Sequence, residues 1–170
     1  VQTSGTNTNS ITVTWGTAGA GNVQVVETNA ATCIGVAVDL PVTINANPSP
    51  VITSSNTTVC AGATGETYSV VASGNTYSWT VTGGSITAGA GTNSITVTWG
   101  GGAGGTVGIT ETSAAGCSGS ASQAIVINAN PVPVISGDNV VCANEAGVVY
   151  STPSAGNTYD WTVTGATSFT

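Results

Sequence analysis

Lysine, arginine, histidine and methionine are all absent from this 170-residue sequence. Each absence removes a class of function. Without cations the chain cannot neutralise phosphates, so nucleic-acid binding through the backbone and attraction to anionic lipid are both excluded for this segment. Without histidine or lysine a serine or threonine nucleophile has no ordinary base. General acid–base work would fall to scattered acids, tyrosines and cysteines, so no enzyme is expected. Long apolar runs are missing too, which leaves nothing able to insert directly into a membrane. The N-terminus lacks the charged, apolar and cleavage-site succession of a signal peptide. If the protein is secreted, its signal lies outside the stretch shown.

Charge is confined to Glu27, Asp39, Glu66, Glu111, Asp138, Glu145 and Asp160, for a net charge of −7. No two of these acids lie within four residues of each other. Calcium needs several oxygens, usually with carboxylates close together. No cofactor or metal is therefore expected, calcium staying open only through acids that converge from a distance. The cysteines Cys33, Cys60, Cys117 and Cys142 lack the close pairs of a zinc site, and no histidine can complete one. Disulfides are the better reading, and they place the protein outside the cytosol.

What the chain does contain is Thr, Ser, Asn and Gly interleaved with Val and Ile, at a 40% apolar share. Disordered chains combine low hydrophobicity with high charge. This one has neither, and folding is expected. The pattern repeats. "ITVTWG" begins at Ile11 and again at Ile95, and the same offset carries "ETNAATC" (Glu27 to Cys33) onto "ETSAAGC" (Glu111 to Cys117). "GNTYSWTVTG" from Gly74 returns as "GNTYDWTVTG" from Gly156, with Cys60 and Cys142 at the same spacing. The unit is about 82 to 84 residues long.

The proline-bearing stretches "NANPSP" (Asn45 to Pro50) and "NANPVP" (Asn128 to Pro133) read as linkers near 45–50 and 128–133, because proline lacks a donor N–H and fixes φ. The expected division is the C-terminal half of a repeat at 1–48, a complete repeat at 51–131 and the N-terminal half of the next at 134–170. Within the complete repeat the apolar period is two. Tyr77, Trp79 and Val81 alternate with Ser78 and Thr80, and Ile95, Val97 and Trp99 alternate with Thr96 and Thr98. Further strands are expected at 67–71, 106–112 and 121–127, separated by the glycine clusters Gly83-Gly84 and Gly100 to Gly105. No helical stripe is visible. About seven short strands in such a unit predict an all-β fold, an immunoglobulin-like β-sandwich repeated in tandem.

The succession "VCAGATGETYSV", "NTYSWTVTGGSITAGAGTNSITVTWG" and "GITETSAAGCSGS" resembles the PKD-like, immunoglobulin-like repeats of giant secreted surface proteins of Bacteroidota, such as gliding-motility adhesins and other type IX secretion substrates. The resemblance spans the complete repeat and both halves. It implies an extracellular array of sandwiches at the cell surface, with neighbouring repeats, and other copies in a filament, as partners. It names no ligand, since such folds serve many purposes. Lysine–asparagine isopeptide bonds, which harden some surface adhesins, are impossible here.

Several residues carry two readings. Trp15, Trp79, Trp99 and Trp161 are either sugar-stacking platforms or core, and their alternation with threonine favours the core, together with Tyr77 and Tyr159. The Thr-Val-Thr triplets at 12–14, 80–82, 96–98 and 162–164 suggest an ice-binding ladder, but so long a repeat cannot stack them flatly; they read as solvent-facing strand positions. Asn56-Thr57-Thr58 is the only N-glycosylation sequon. Each whole repeat holds one early and one late cysteine, so Cys60 with Cys117 is the expected disulfide. Such a bond would contribute roughly 4 kcal/mol in the chain-entropy model. Cys33 and Cys142 would then pair outside this stretch. The alternative joins Cys33 to Cys60 and Cys117 to Cys142. The leading functional reading is a stalk or filament segment that supplies reach and strength to an adhesin. The competing readings are a glycan- or protein-binding module and a polymer subunit completed by strands from neighbouring chains.

Overall fold

The structure is a computed structural model, and it describes residues 2–4, 8–153 and 156–167. The chain divides into two compact units, 1–129 and 130–170. The first unit opens with β1 (Gln2–Ser4) paired to β2 (Thr12–Val13), followed by an antiparallel hairpin of β3 (Gly19–Val25) and β4 (Val38–Ile44). These strands belong to the first half-repeat. They and the complete repeat fall within the same unit.

The complete repeat supplies β5 (Thr53–Ser54), β6 (Thr58–Cys60), β7 (Glu66–Ser69), β8 (Thr76–Thr82), β9 (Gly84–Ala88), β10 (Ser94–Trp99), β11 (Gly105–Thr112) and β12 (Ser118–Asn128). They form two four-stranded sheets, ordered β5-β7-β10-β9 and β6-β12-β11-β8. The fold is an all-β sandwich. Every pairing within it is antiparallel except β6 with β12, where Thr58, Val59 and Cys60 lie opposite Val126, Ile127 and Asn128 in parallel register.

Alternation decides which side chains face inward. In β10 Ile95, Val97 and Trp99 are buried while Ser94, Thr96 and Thr98 are only half-buried. Val107 and Ile109 of β11, Ile125 and Ile127 of β12, Trp79 of β8, Val59 of β6 and Tyr68 of β7 close the other walls. Tyr77 of β8 is partly buried against this core. Full burial of a large apolar side chain contributes about 1.5–3 kcal/mol, so this cluster is the main source of the repeat's stability. Tyr68 and Trp99 meet edge to face, ring centroids 6.0 Å apart. Their polar tips are satisfied within the core: Trp99 Nε1 donates to Tyr68 OH at 3.2 Å, and Tyr68 OH donates to the carbonyl of Asn56 at 3.3 Å. Trp79 Nε1 donates to the carbonyl of Thr92 at 2.8 Å.

Two of the glycines expected to break strands lie inside them instead. Gly84 begins β9 and Gly105 begins β11. A Cβ on Gly105 would stand 2.4 Å from both Trp99 Cζ3 and the carbonyl oxygen of Thr82. The indole occupies the space a side chain would need, so glycine here is a packing residue. The first half-repeat has the same pair, with Gly21 beneath Trp15.

In the second unit no strand is assigned among the described residues. An isolated bridge joins Ser136 to Ser151, and Tyr150 OH donates to the carbonyl of Asp138 at 2.7 Å. That bond reproduces Tyr68 to Asn56 in a segment with no assigned strand among its described residues.

Candidate functional site

The sequence-predicted core residues fall into two groups. Trp99 and Trp79 are buried, at 1% and 8% exposure. Trp15, Trp161 and Tyr159 are exposed at 41%, 37% and 45%, so their assignment to a core is corrected. The cause is missing partners. The first half-repeat has counterparts of β10, β11 and β12 but none of the strands that carry Tyr68 and Trp79. The second unit holds the counterparts of Tyr68 and Trp79 without the Trp99 strand.

The expected Cys60–Cys117 disulfide is also corrected. All four cysteines are free, with Cys60 exposed and Cys117 half-buried. Cys60 stands opposite Asn128, the last residue of β12, while Cys117 directly precedes Ser118, the first. The two therefore mark opposite ends of an 11-residue strand, a separation of roughly 30 Å at about 3.3 Å per residue. A disulfide requires Cα atoms within about 7 Å. The early-and-late spacing was visible in the sequence; the parallel β6–β12 pairing that sends Cys60 to the far end was not.

The most elaborated polar region sits at the Cys117 end of the sandwich. Glu111 is the only buried charged residue described, at 5% exposure. It lies on β11 opposite Tyr77 of β8. Its Oε1 accepts from Asn75 Nδ2 at 2.9 Å and from the hydroxyl of Ser73. Tyr77 OH in turn accepts from the Ser73 backbone N–H at 2.9 Å. Two neutral side chains thus hold one carboxylate, with Tyr77 bracing Ser73, and they tie the β7–β8 loop to β11. Beyond it, Ser113 to Cys117 forms a turn closed by Ser113 N–H to the Cys117 carbonyl at 2.9 Å, with Gly116 at φ +80°. The first half-repeat builds the same turn from Asn29 to Cys33, closed at 3.1 Å, but with Thr32 at φ +66° where the complete repeat has glycine.

The linker docks on this end. The Cys117 thiol lies 3.9 Å from the carbonyl oxygen of Asn45. A Cβ on Gly119 would fall 1.9 Å from the Pro48 carbonyl oxygen. Only glycine lets the linker backbone lie so close to β12. Its sequence signal is the recurring Cys-x-Gly, Cys33-Ile34-Gly35 and Cys117-Ser118-Gly119, which marks a backbone approach and not a chemistry-bearing motif.

Two open depressions are lined by Thr80, Gly108, Ile109, Thr110, Ser120, Ala121 and Ser122, and by Pro50, Val51, Ile52, Ala121, Ser122 and Gln123. Neither contains an aromatic or ionisable side chain. Among the described residues no three Cys, Asp or Glu side chains converge as a metal site would require. Among them, too, no helix is long and apolar enough to cross a membrane.

A two-sheet sandwich with a closed core and a linker packed on one end defines an immunoglobulin-like β-sandwich module. Residues 46–127, just under half of the chain, match the family model of the PKD-like domain. That match and the sandwich agree in outline. PKD-like domains are typically extracellular. No curated protein matches the chain.

Proposed function

We propose that this chain is a stalk or filament segment of a secreted cell-surface adhesin, in which successive sandwiches supply reach and mechanical strength. The observation that carries the reading is the placement of the complete repeat's two ends. The incoming linker lies against Gly119 at the start of β12, and the chain leaves after Asn128 at the end of the same strand. Entry and exit are thus separated by most of the length of β12, the geometry needed for modules strung end to end. The core of the complete repeat closes on itself, so the repeat needs neighbours only at its ends, as in other quasi-linear arrays. A Bacteroidota adhesin exported by type IX secretion, with filament neighbours as partners, is the setting that the motif resemblance supports. No residue is assigned a catalytic or cofactor role.

The test is to insert one and then two further copies of residues 51–133 in place and measure the largest dimension by small-angle X-ray scattering. Each copy is expected to add a constant increment on the order of 30 Å, the span of β12. Copies that fold without lengthening the particle would defeat the reading.

A further inference from the structure

We propose that the cysteines of this protein form disulfides between repeats: the early cysteine of one repeat bonds to the late cysteine of the repeat that follows it. The bond would staple every junction in a tandem array. It rests on the array reading in needing successive repeats.

The placement follows from one shared neighbour. Asn45 and Asn128 occupy the same position in the recurring "INANP". At the end of the complete repeat, Asn128 lies opposite Cys60, and its carbonyl accepts from Ala61 N–H at 2.8 Å. At the start of that repeat, the Cys117 thiol lies 3.9 Å from the carbonyl of Asn45, which closes the preceding repeat. Superposing the two asparagines through the repeat places an early cysteine of the same repeat and a late cysteine of the next beside one carbonyl, an arrangement assembled from the two ends of the complete repeat. In that superposition the 2.8 and 3.9 Å contacts, joined through the Ala61 amide, hold the early Cα within roughly 9 Å of the late sulfur. Ordinary side-chain rotation and a small linker adjustment cover the remainder.

The backbone around each cysteine recurs in the half-repeats. The Cys60 carbonyl accepts from Ala63 N–H at 3.0 Å, and that of Cys142 from Glu145 N–H at 3.2 Å. Cys33 and Cys117 close the same turn. Both cysteine positions are thus set locally, whatever the state of the core. Exposure of Cys60 leaves it open to an oxidant.

The chemistry balances as thiol–disulfide exchange. One thiolate attacks a small disulfide such as oxidised glutathione and releases one glutathione thiol. The second cysteine thiolate then displaces the other. The two protein thiols give up two protons and two electrons, and oxidised glutathione becomes two reduced molecules.

The experiment uses the full chain with residues 51–133 duplicated in place, carrying Cys33→Ser and Cys142→Ser. One version keeps Cys60 of the first copy and Cys117 of the second, with Cys117→Ser and Cys60→Ser at the other two positions. The control keeps both cysteines of the first copy and has both of the second changed to serine. After exposure to oxidised glutathione, thiol titration and non-reducing intact mass are read on the monomer. The first version is expected to lose both thiols and two hydrogens in mass without retaining glutathione, while the control forms no internal bond. Closure of the control, or persistent thiols or glutathione adducts in the first version with both copies folded, would overturn the staple alone. Tryptophan fluorescence of the reduced proteins reports folding. An added copy with solvent-exposed tryptophans would overturn the array reading and the staple with it.

Discussion

The complete repeat and the two half-repeats are written in nearly the same words, yet they bury different things. Trp99 closes β10 and Trp15 follows β2 by two residues, each ending an "ITVTW" stretch and resting on a glycine, but one is 1% exposed and the other 41%. Trp79 and Trp161 share "WTVTG" and differ in the same direction, 8% against 37%. The local pattern sets which side chains can share a face, but it does not fix the strand: "NTYSWTVTG" forms β8, while "NTYDWTVTG" carries no assigned strand. Burial is conferred by strands far away in sequence, and it is present only where both halves of a sandwich meet.

The sharpest break in this comparison is truncation of the two tryptophans. Trp99→Ala is expected to cost the complete repeat about 3–5 kcal/mol, whereas Trp15→Ala should stay near the ±0.5 kcal/mol usual at a surface. Denaturant titration followed by far-UV circular dichroism separates the two. Equal costs would mean that Trp15 has a cover of its own.

Next in size is the glycine beneath each ring. Gly105→Ala drives a methyl into both the indole and the Thr82 carbonyl, and overpacking of this kind costs about 1–3 kcal/mol. At Gly21 the nearest atom is the Trp15 ring at 2.7 Å, and that ring is exposed and free to turn. Gly21→Ala should therefore be close to neutral in the same titration.

Glu111 and Glu27 make a third pair. Glu111→Ala removes the acceptor shared by Ser73 and Asn75, and hydrogen bonds to charged groups contribute about 1.5–3 kcal/mol each. Part of that is recovered as water reaches the loop, so a loss of about 2 kcal/mol is expected. Glu27, at the same place in the first half-repeat, is exposed. Glu27→Ala should change the midpoint little.

Alkaline pH offers a test of the core that needs no truncation. Burial pushes the Tyr68 phenol above its ordinary value of 10.0, the hydrogen bond from Trp99 lowers it, and the nearby Glu66 carboxylate raises it further. A raised folded-state value means that the folded state holds the proton more tightly than the unfolded chain does. The resulting stability is fully present below pH 10.0 and is lost as pH climbs through the folded-state value. The denaturation midpoint should fall in that range, and Tyr68→Phe should flatten the decline while lowering stability at neutral pH through the unpaired Trp99 N–H. An unchanged slope in the Phe variant would remove Tyr68 as the cause.

The smallest expected effect reverses the direction. Thr32 holds φ +66° where the complete repeat has Gly116, and the left-handed region costs a residue with a side chain roughly 1–2 kcal/mol. Gly116→Thr should destabilise its turn by about that amount. Thr32→Gly should quiet its turn, seen as slower amide exchange at Cys33.

Much of the sandwich was legible because the apolar alternation of its long strands is a local property. The alternations around Trp79 and Trp99 located β8 and β10, and the strands expected at 106–112 and 121–127 correspond to β11 and β12 with ends shifted by up to three residues. The short β5, β6 and β9 were not foreseen. β6 is three residues long and β5 two, too short to show a period, and glycine masked the start of β9. The Glu111 cluster was hidden for another reason. Its members come from positions 73, 75, 77 and 111, and nothing in a linear reading joins a serine to a carboxylate 38 residues away.

By itself, then, the sequence determined the all-β class, the repeat length and the inward faces of β8 and β10. All of these depend on composition or on neighbours within a few residues. The tertiary structure alone decided which tryptophans are core, since burial needs both sheets. It alone decided that Cys60 and Cys117 stand at opposite ends of the repeat, because β6 joins β12 in parallel and a parallel pairing carries the chain's early cysteine to the far end of its last strand.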